Sequence, residues 1–94
     1  MKFEWDEEKN KTNQIKYGIS FDVAREIFDD PFTLSFLDER FNYLEERWIS
    51  IGQSKNDKII VVAHLFYNEK GEEIIRIISA RKATQKERKA YEKI

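Results

Sequence analysis

The main change in the pattern of apolar positions along this 94-residue chain falls after Asp30. Up to Asp30 they recur at helical spacing; from Phe32 onward they form extended runs separated by turn residues. Phe3 to Trp5 reads as a short first strand. Asp6 then supplies an N-cap, with Glu7 and Glu8 in a first turn where negative charge is favoured, and Gly18 closes the helix as a left-handed residue. Ser20 caps a second helix. In it Val23, Ala24, Ile27 and Phe28 fall on one side, which predicts core packing, and Asp29-Asp30-Pro31 ends it.

Four β-rich segments follow: TLSFL (33–37), ERWISIG (46–52), KIIVVAHLFY (58–67) and EEIIRIISA (72–80). Asn56-Asp57 and the break Asn68 to Gly71 are turn-like, so the last three segments predict an antiparallel meander in sequence order. In the segment 58–67 both parities are apolar, as a central strand covered on both faces requires. Thr84 at N-cap with Glu87 at N3 forms a capping box that starts a terminal helix. The expected architecture is a single α+β domain over residues 1–94. It has two N-terminal helices packed on a four-to-five-stranded, mainly antiparallel sheet, and a C-terminal helix.

Composition removes several classes of function. With no cysteine, the chain has neither a disulfide framework nor a thiolate metal site, and neither metal nor cofactor is expected. No run of 18 apolar residues occurs, and MKFEWDEEK lacks the apolar stretch of a secretory signal, so the expected location is the cytoplasm, away from membranes. The net charge of -1 conceals an asymmetry: residues 1–46 carry -6, residues 47–74 carry 0 and residues 75–94 carry +5. A basic end on an acidic chain suits a polyanion-facing surface of limited size.

The candidate chemistry gathers at that basic end. Arg76, between Ile75 and Ile77, needs either a carboxylate partner, for which Glu45 and Glu46 are candidates, or an anionic ligand. Arg81 and Lys82 precede the capped helix, whose free N–H groups also favour an anion. Regular alternation puts Arg76 and Arg81 on opposite faces unless the strand bulges or ends at Ser79. Of Arg47 and Trp48, one must point away from the core. His64, the single histidine, lies in the central strand with the parity of Ile60, Val62 and Phe66. Trp5, Tyr17, Tyr67 and Tyr91 offer rings on which bases can stack.

Taken together, FEWDEEKNKTNQIKYGISF (3–21), IFDDP (27–31), ERWISIG (46–52), VVAH (61–64) and RIISARKATQKER (76–88) resemble the BrnT toxin family. The resemblance implies a RelE-like ribonuclease toxin of a type II toxin–antitoxin system, with RNA as substrate. It also implies neutralisation by a DNA-binding, dimeric BrnA-type antitoxin in a heterotetramer. One departure stands out. The family's usual Lys-His-Gly at the end of the first helix is here Lys16-Tyr17-Gly18, and a phenol near pKa 10 is a poorer proton shuttle than imidazole. On this basis Arg76 and Arg81 are expected to hold the phosphate and His64 or Glu46 to move the proton. Lys16, Trp5, Arg47, Lys82 and Arg88 are expected to bind RNA. The competing class is a non-catalytic module that binds RNA or a partner through the same surface.

Overall fold

The computed structural model describes residues 1–41 and 46–93; Glu45 lies outside them. Among the described residues the order is β1 (Lys2–Glu4), α1 (Glu7–Tyr17), α2 (Phe21–Ala24) continuing as a 3-10 turn (Arg25–Asp29), β2 (Leu34–Leu37), a second 3-10 turn (Glu39–Phe41), β3 (Arg47–Gln53), β4 (Ile59–Glu69), β5 (Glu72–Lys82) and α3 (Gln85–Glu92). The caps are those the sequence predicts. The Asp6 carboxylate accepts from the Glu8 N–H, Ser20 Oγ accepts from the Val23 N–H, and Gly18 at φ 72° donates its N–H to the Gln14 carbonyl. Thr84 and Glu87 complete the reciprocal box that opens α3.

The five strands form one mixed sheet in the order β1-β5-β4-β3-β2, with β1 parallel to β5 and every other pair antiparallel. The meander β3-β4-β5 is as expected, with β4 central. Its last turn is tighter than Asn68 to Gly71 suggested. Glu69 pairs with Glu72, leaving only Lys70 (φ 53°) and Gly71 (φ 84°) in the loop, the positive-φ geometry of a two-residue hairpin. That turn fixes the β4/β5 register.

Residues opposite each other in a ladder project from the same face. On one face Ile60, Val62, Ile75, Ile77 and Ala80 meet Ile19, Phe21, Ala24 and Ile27 in the main core, beneath α1 and α2. On the other, Ile51 and Val61 are covered by Tyr91 of α3. The Tyr91 hydroxyl donates to Asp30 and so ties α3 to the loop before β2. Burial and that bond push the phenol up to about 12.

β1 ends at Glu4, so β5 has no strand beyond Arg76 on that edge. Asn13, buried in the otherwise polar α1, takes the strand's place. Its side-chain amide donates to the Ala80 carbonyl (2.8 Å) and accepts from the Ala80 N–H (3.1 Å), and a second N–H reaches the Ile19 carbonyl (2.8 Å). A carboxamide presents the same donor and acceptor pair as a peptide unit, which is why it can close a sheet edge.

Asn13→Ala leaves three buried backbone bonds unmade and is expected to cost about 2–4 kcal/mol in urea unfolding. Asn13→Asp keeps an acceptor for the Ala80 N–H but loses both donors, so it should be destabilised as well.

Candidate active site

Between Ala63 and His64 of β4 the β5 register slips by one: Ala63 pairs with Ser79 but His64 with Ile77, so Ile78 is an extra residue. The bulge resolves the parity problem of the two arginines. Leu65 pairs with Arg76 and Val61 with Arg81, and Leu65 and Val61 share a face of β4, so Arg76 and Arg81 project from the same side of the sheet. Arg47 joins them, paired with Leu65 from the β3 side. Trp48 faces the opposite way, in the row of His64.

α3 covers only part of this face. Where it stops, Glu4, Glu46, Leu65, Tyr67 and Arg76 line an open cleft. Arg76 does not pair with its candidate partner Glu46. Its cross-strand neighbour Glu4 takes that role, Arg76 Nη1 donating to Glu4 Oε2 at 2.8 Å. The Tyr67 hydroxyl donates to the same oxygen at 2.9 Å. Hydrogen bonds from Arg76 first and Tyr67 second hold the Glu4 carboxyl below the usual carboxylate range, and the same contact with Glu4 pushes the Tyr67 phenol up.

Arg81 is also engaged. Its guanidinium grips Glu87 bidentately, Nη1 to Oε1 at 2.7 Å and Nη2 to Oε2 at 2.9 Å, while Oε1 caps the helix by accepting from the Thr84 N–H. The anion expected at the start of α3 is therefore supplied by the protein itself. Arg81 chiefly, with the Thr84 N–H, brings the Glu87 carboxyl down to about 2.

His64, expected to assist proton transfer, sits apart from the arginines. It is 3% exposed and lies on the helix-covered face, opposite the arginines. Its Nδ1 meets the Leu65 carbonyl at 3.3 Å and its Nε2 the Ser50 hydroxyl at 2.7 Å, and Ser50 continues to Ser35 at 2.7 Å. Since a carbonyl only accepts, Nδ1 carries the proton and Nε2 accepts from Ser50. Phe28 packs edge-on at 5.0 Å, and burial lowers the imidazole pKa. Both ring nitrogens are thus engaged within the protein, on the face of the sheet opposite Arg76 and Arg81.

The remaining candidates divide. Lys16 stacks over Tyr17 (5.2 Å) and, with Ile78 and Ser79, lines a groove between α1 and β5 that adjoins the arginine face. Trp5 belongs to the core side: its ring meets Phe21 edge-on at 6.1 Å and its Nε1 donates to Glu7. Lys82 sits in the ladder row of Ile60, on the other parity from Arg81. Arg88 is exposed on α3 beside Lys89 and Glu92, apart from the cleft.

Sequence reasoning missed Glu4, and it read Tyr67 only as a ring for stacking, not as a partner of Glu4 beside Arg76. The signal for Tyr67 was turn length, because a two-residue loop at Lys70-Gly71 places Tyr67 beside Leu65 and Arg76. For Glu4 the alternation was visible, Phe3 facing the core and Glu4 away from it, but the pairing of β1 with β5 was not.

A family model described as ribonuclease toxin, BrnT, of type II toxin–antitoxin system matches residues 5–87. Among solved structures, the 1.1 Å crystal structure of the Brucella abortus ribonuclease toxin BrnT is similar, with 29% identity and a TM-score of 0.63, over 90% of this chain and 99% of that one. No curated protein matches the sequence.

The Arg81–Glu87 pair has a pH signature. A carboxylate held low in the folded state adds stability above its unfolded pKa, near 4.5, and that stability is lost as pH falls toward 2. Discounted for the solvent exposure of Arg81, the contribution is about 1–2 kcal/mol. Chemical unfolding at several pH values should show wild type losing this much more than Glu87→Gln between pH 4.5 and 2.

Proposed function

This chain belongs to the family of BrnT ribonuclease toxins of type II toxin–antitoxin systems, and on that premise we propose that it is a metal-independent endoribonuclease. Its substrate lies across the open half of the arginine-bearing sheet face. The observation that carries this reading is the alignment of Arg47, Arg76 and Arg81 on one face beside an open cleft lined by Arg76. Neighbouring strands are about 4.8 Å apart and residues rise about 3.3 Å. Arg47 and Arg76 are therefore roughly 10 Å apart across β4 and Arg76 and Arg81 roughly 13 Å apart along it, measured between backbone positions, and their long side chains can lean toward one another over Leu65 and Ala63.

RNA itself supplies the nucleophile, the 2′-hydroxyl. The protein must neutralise the charge that builds on phosphorus and manage two protons. Arg76 and Arg81 provide the first, and Arg47 and Lys16 bind the flanking phosphates. Arg81 now holds a carboxylate through both Nη atoms, and a phosphate offers the same paired oxygens, so binding there is an exchange of anions on a preset fork, whereas Arg76 gives Glu4 only Nη1 and keeps its other edge for the phosphate.

The rest of the reading follows the family resemblance. It comprises a RelE-like relationship of fold, a BrnA-type antitoxin forming a heterotetramer through its own dimer, and arrest of translation and growth in the cytoplasm. A second reading, a binder that cuts nothing, draws on the same two ion pairs as purely structural links and on the distance of His64 from the face.

Purified protein incubated with RNA, and expression in a growing culture with and without the antitoxin, separate the two readings. Arg76→Ala and Arg81→Ala, each checked for folding by circular dichroism, should cut RNA on the order of 100-fold more slowly and relieve growth arrest. Equal cleavage by wild type and both variants overturns the assignment of this face.

A further inference from the structure

We infer that Glu4 and Tyr67 are the proton-transfer pair of this site, Glu4 taking the proton from the attacking 2′-hydroxyl and Tyr67 giving one to the departing 5′-oxygen. The inference rests on RNA cleavage at the arginine face as proposed above.

Such a reaction needs an ionised base and a protonated acid beside the cation that holds the phosphate. Among the described residues the cleft brings together two carboxylates, Glu4 and Glu46, and one phenol, Tyr67. Of these, Glu4 and Tyr67 are fixed relative to each other and to Arg76. Both donors converge on Glu4 Oε2, so Oε1 has no partner among the described residues, and the side chain is 31% exposed at the cleft. A base needs that arrangement: one oxygen anchored for orientation, the other free for the substrate. Only Nη1 of Arg76 is used by Glu4, which leaves the other edge of the guanidinium for a phosphate oxygen.

A purely structural explanation covers less of this. A partly exposed cross-strand ion pair contributes little to stability and does not need a tyrosine as its third member. Glu4 is held in its ionised form by Arg76 and Tyr67, and Tyr67 in its protonated form by Glu4, so at neutral pH both groups stand in the state their roles require.

The step balances without a co-reactant. The 2′-hydroxyl proton passes to Glu4 Oε1 as the 2′-oxygen bonds to phosphorus. The bond from phosphorus to the 5′-oxygen breaks, and the Tyr67 proton goes to that oxygen. The proton on Glu4 then returns to the neighbouring phenolate, resetting both groups. The products are a 2′,3′-cyclic phosphate and a 5′-hydroxyl end.

The test compares wild type, Glu4→Gln and Tyr67→Phe on one RNA oligonucleotide. It measures the cleavage rate and, separately, the affinity for the same oligonucleotide bearing 2′-O-methyl groups, which binds but cannot react. Gln keeps the size of Glu and an oxygen for Arg76 and Tyr67 but is no base. Glu4→Gln is expected to lose about 100-fold or more in rate, and Tyr67→Phe about 10–100-fold, with affinity within a few-fold of wild type. The wild-type rate should be flat from about pH 6 to 9, because both groups titrate outside that window. A limb near pH 6.5, the range of an ordinary histidine, or a Glu4→Gln variant that cuts as fast as wild type, overturns the inference while leaving the proposed function standing. If Glu4→Gln does not fold, Tyr67→Phe and the pH profile decide. Wild-type protein that cuts no RNA overturns the proposed function and this inference together.

Discussion

The extra residue in β5 governs what the sheet can present. With Ile78 unpaired opposite His64, the strand on one side of the bulge is displaced by one position relative to the other, and residues five apart come to share a face. Arg76 and Arg81 are such a pair. Without the extra residue, one of them would enter the helix-covered core, where a guanidinium needs a full set of partners to be tolerated. The bulge is supported from outside. Asn13 supplies the missing edge of β5 at Ala80, two positions beyond Ile78, so α1 contributes to the site by holding the displaced half of the strand in register.

Two faces with different chemistry result. On the covered face the polar groups satisfy one another internally: Ser35, Ser50 and His64 form a short chain that ends on the Leu65 carbonyl. On the other face the charges meet only partly, at the edge of α3 and beside the cleft. Glu87 serves both Arg81 and the first turn of α3, so the C-terminal helix and the arginine are coupled through one carboxylate. An anion that draws Arg81 away removes one of two anchors from that carboxylate. Tyr91, bonded to Asp30 at the far end of α3, keeps the helix docked independently of the exchange.

Much of this was legible in the chain. The caps at Asp6, Ser20 and Thr84 and the left-handed Gly18 are local chemistry, and each formed as read. The meander followed from the turn residues, and the central position of β4 from apolar residues on both its parities. What was not legible depends on pairing at a distance. Arg76 found Glu4, 72 residues away, because β1 joins the sheet parallel to β5, and a three-residue strand carries almost no signal of its partner. His64 looked available because it is the only imidazole, yet its parity with Ile60 and Val62 already placed it in the core row. The alignment of Arg76 with Arg81 hinged on a bulge that alternation can permit but not locate.

The central claim is that one sheet face, assembled by that bulge, receives the RNA backbone. It is tested most directly by following the arginine Nε–H, tryptophan Nε1–H and histidine ring signals by NMR while a 2′-O-methyl RNA oligonucleotide is titrated in. Shifts shared by Arg47, Arg76 and Arg81, with His64 and Trp5 unmoved, are the predicted result. Shifts concentrated at His64 and Trp48, with Arg76 and Arg81 unchanged, would contradict it.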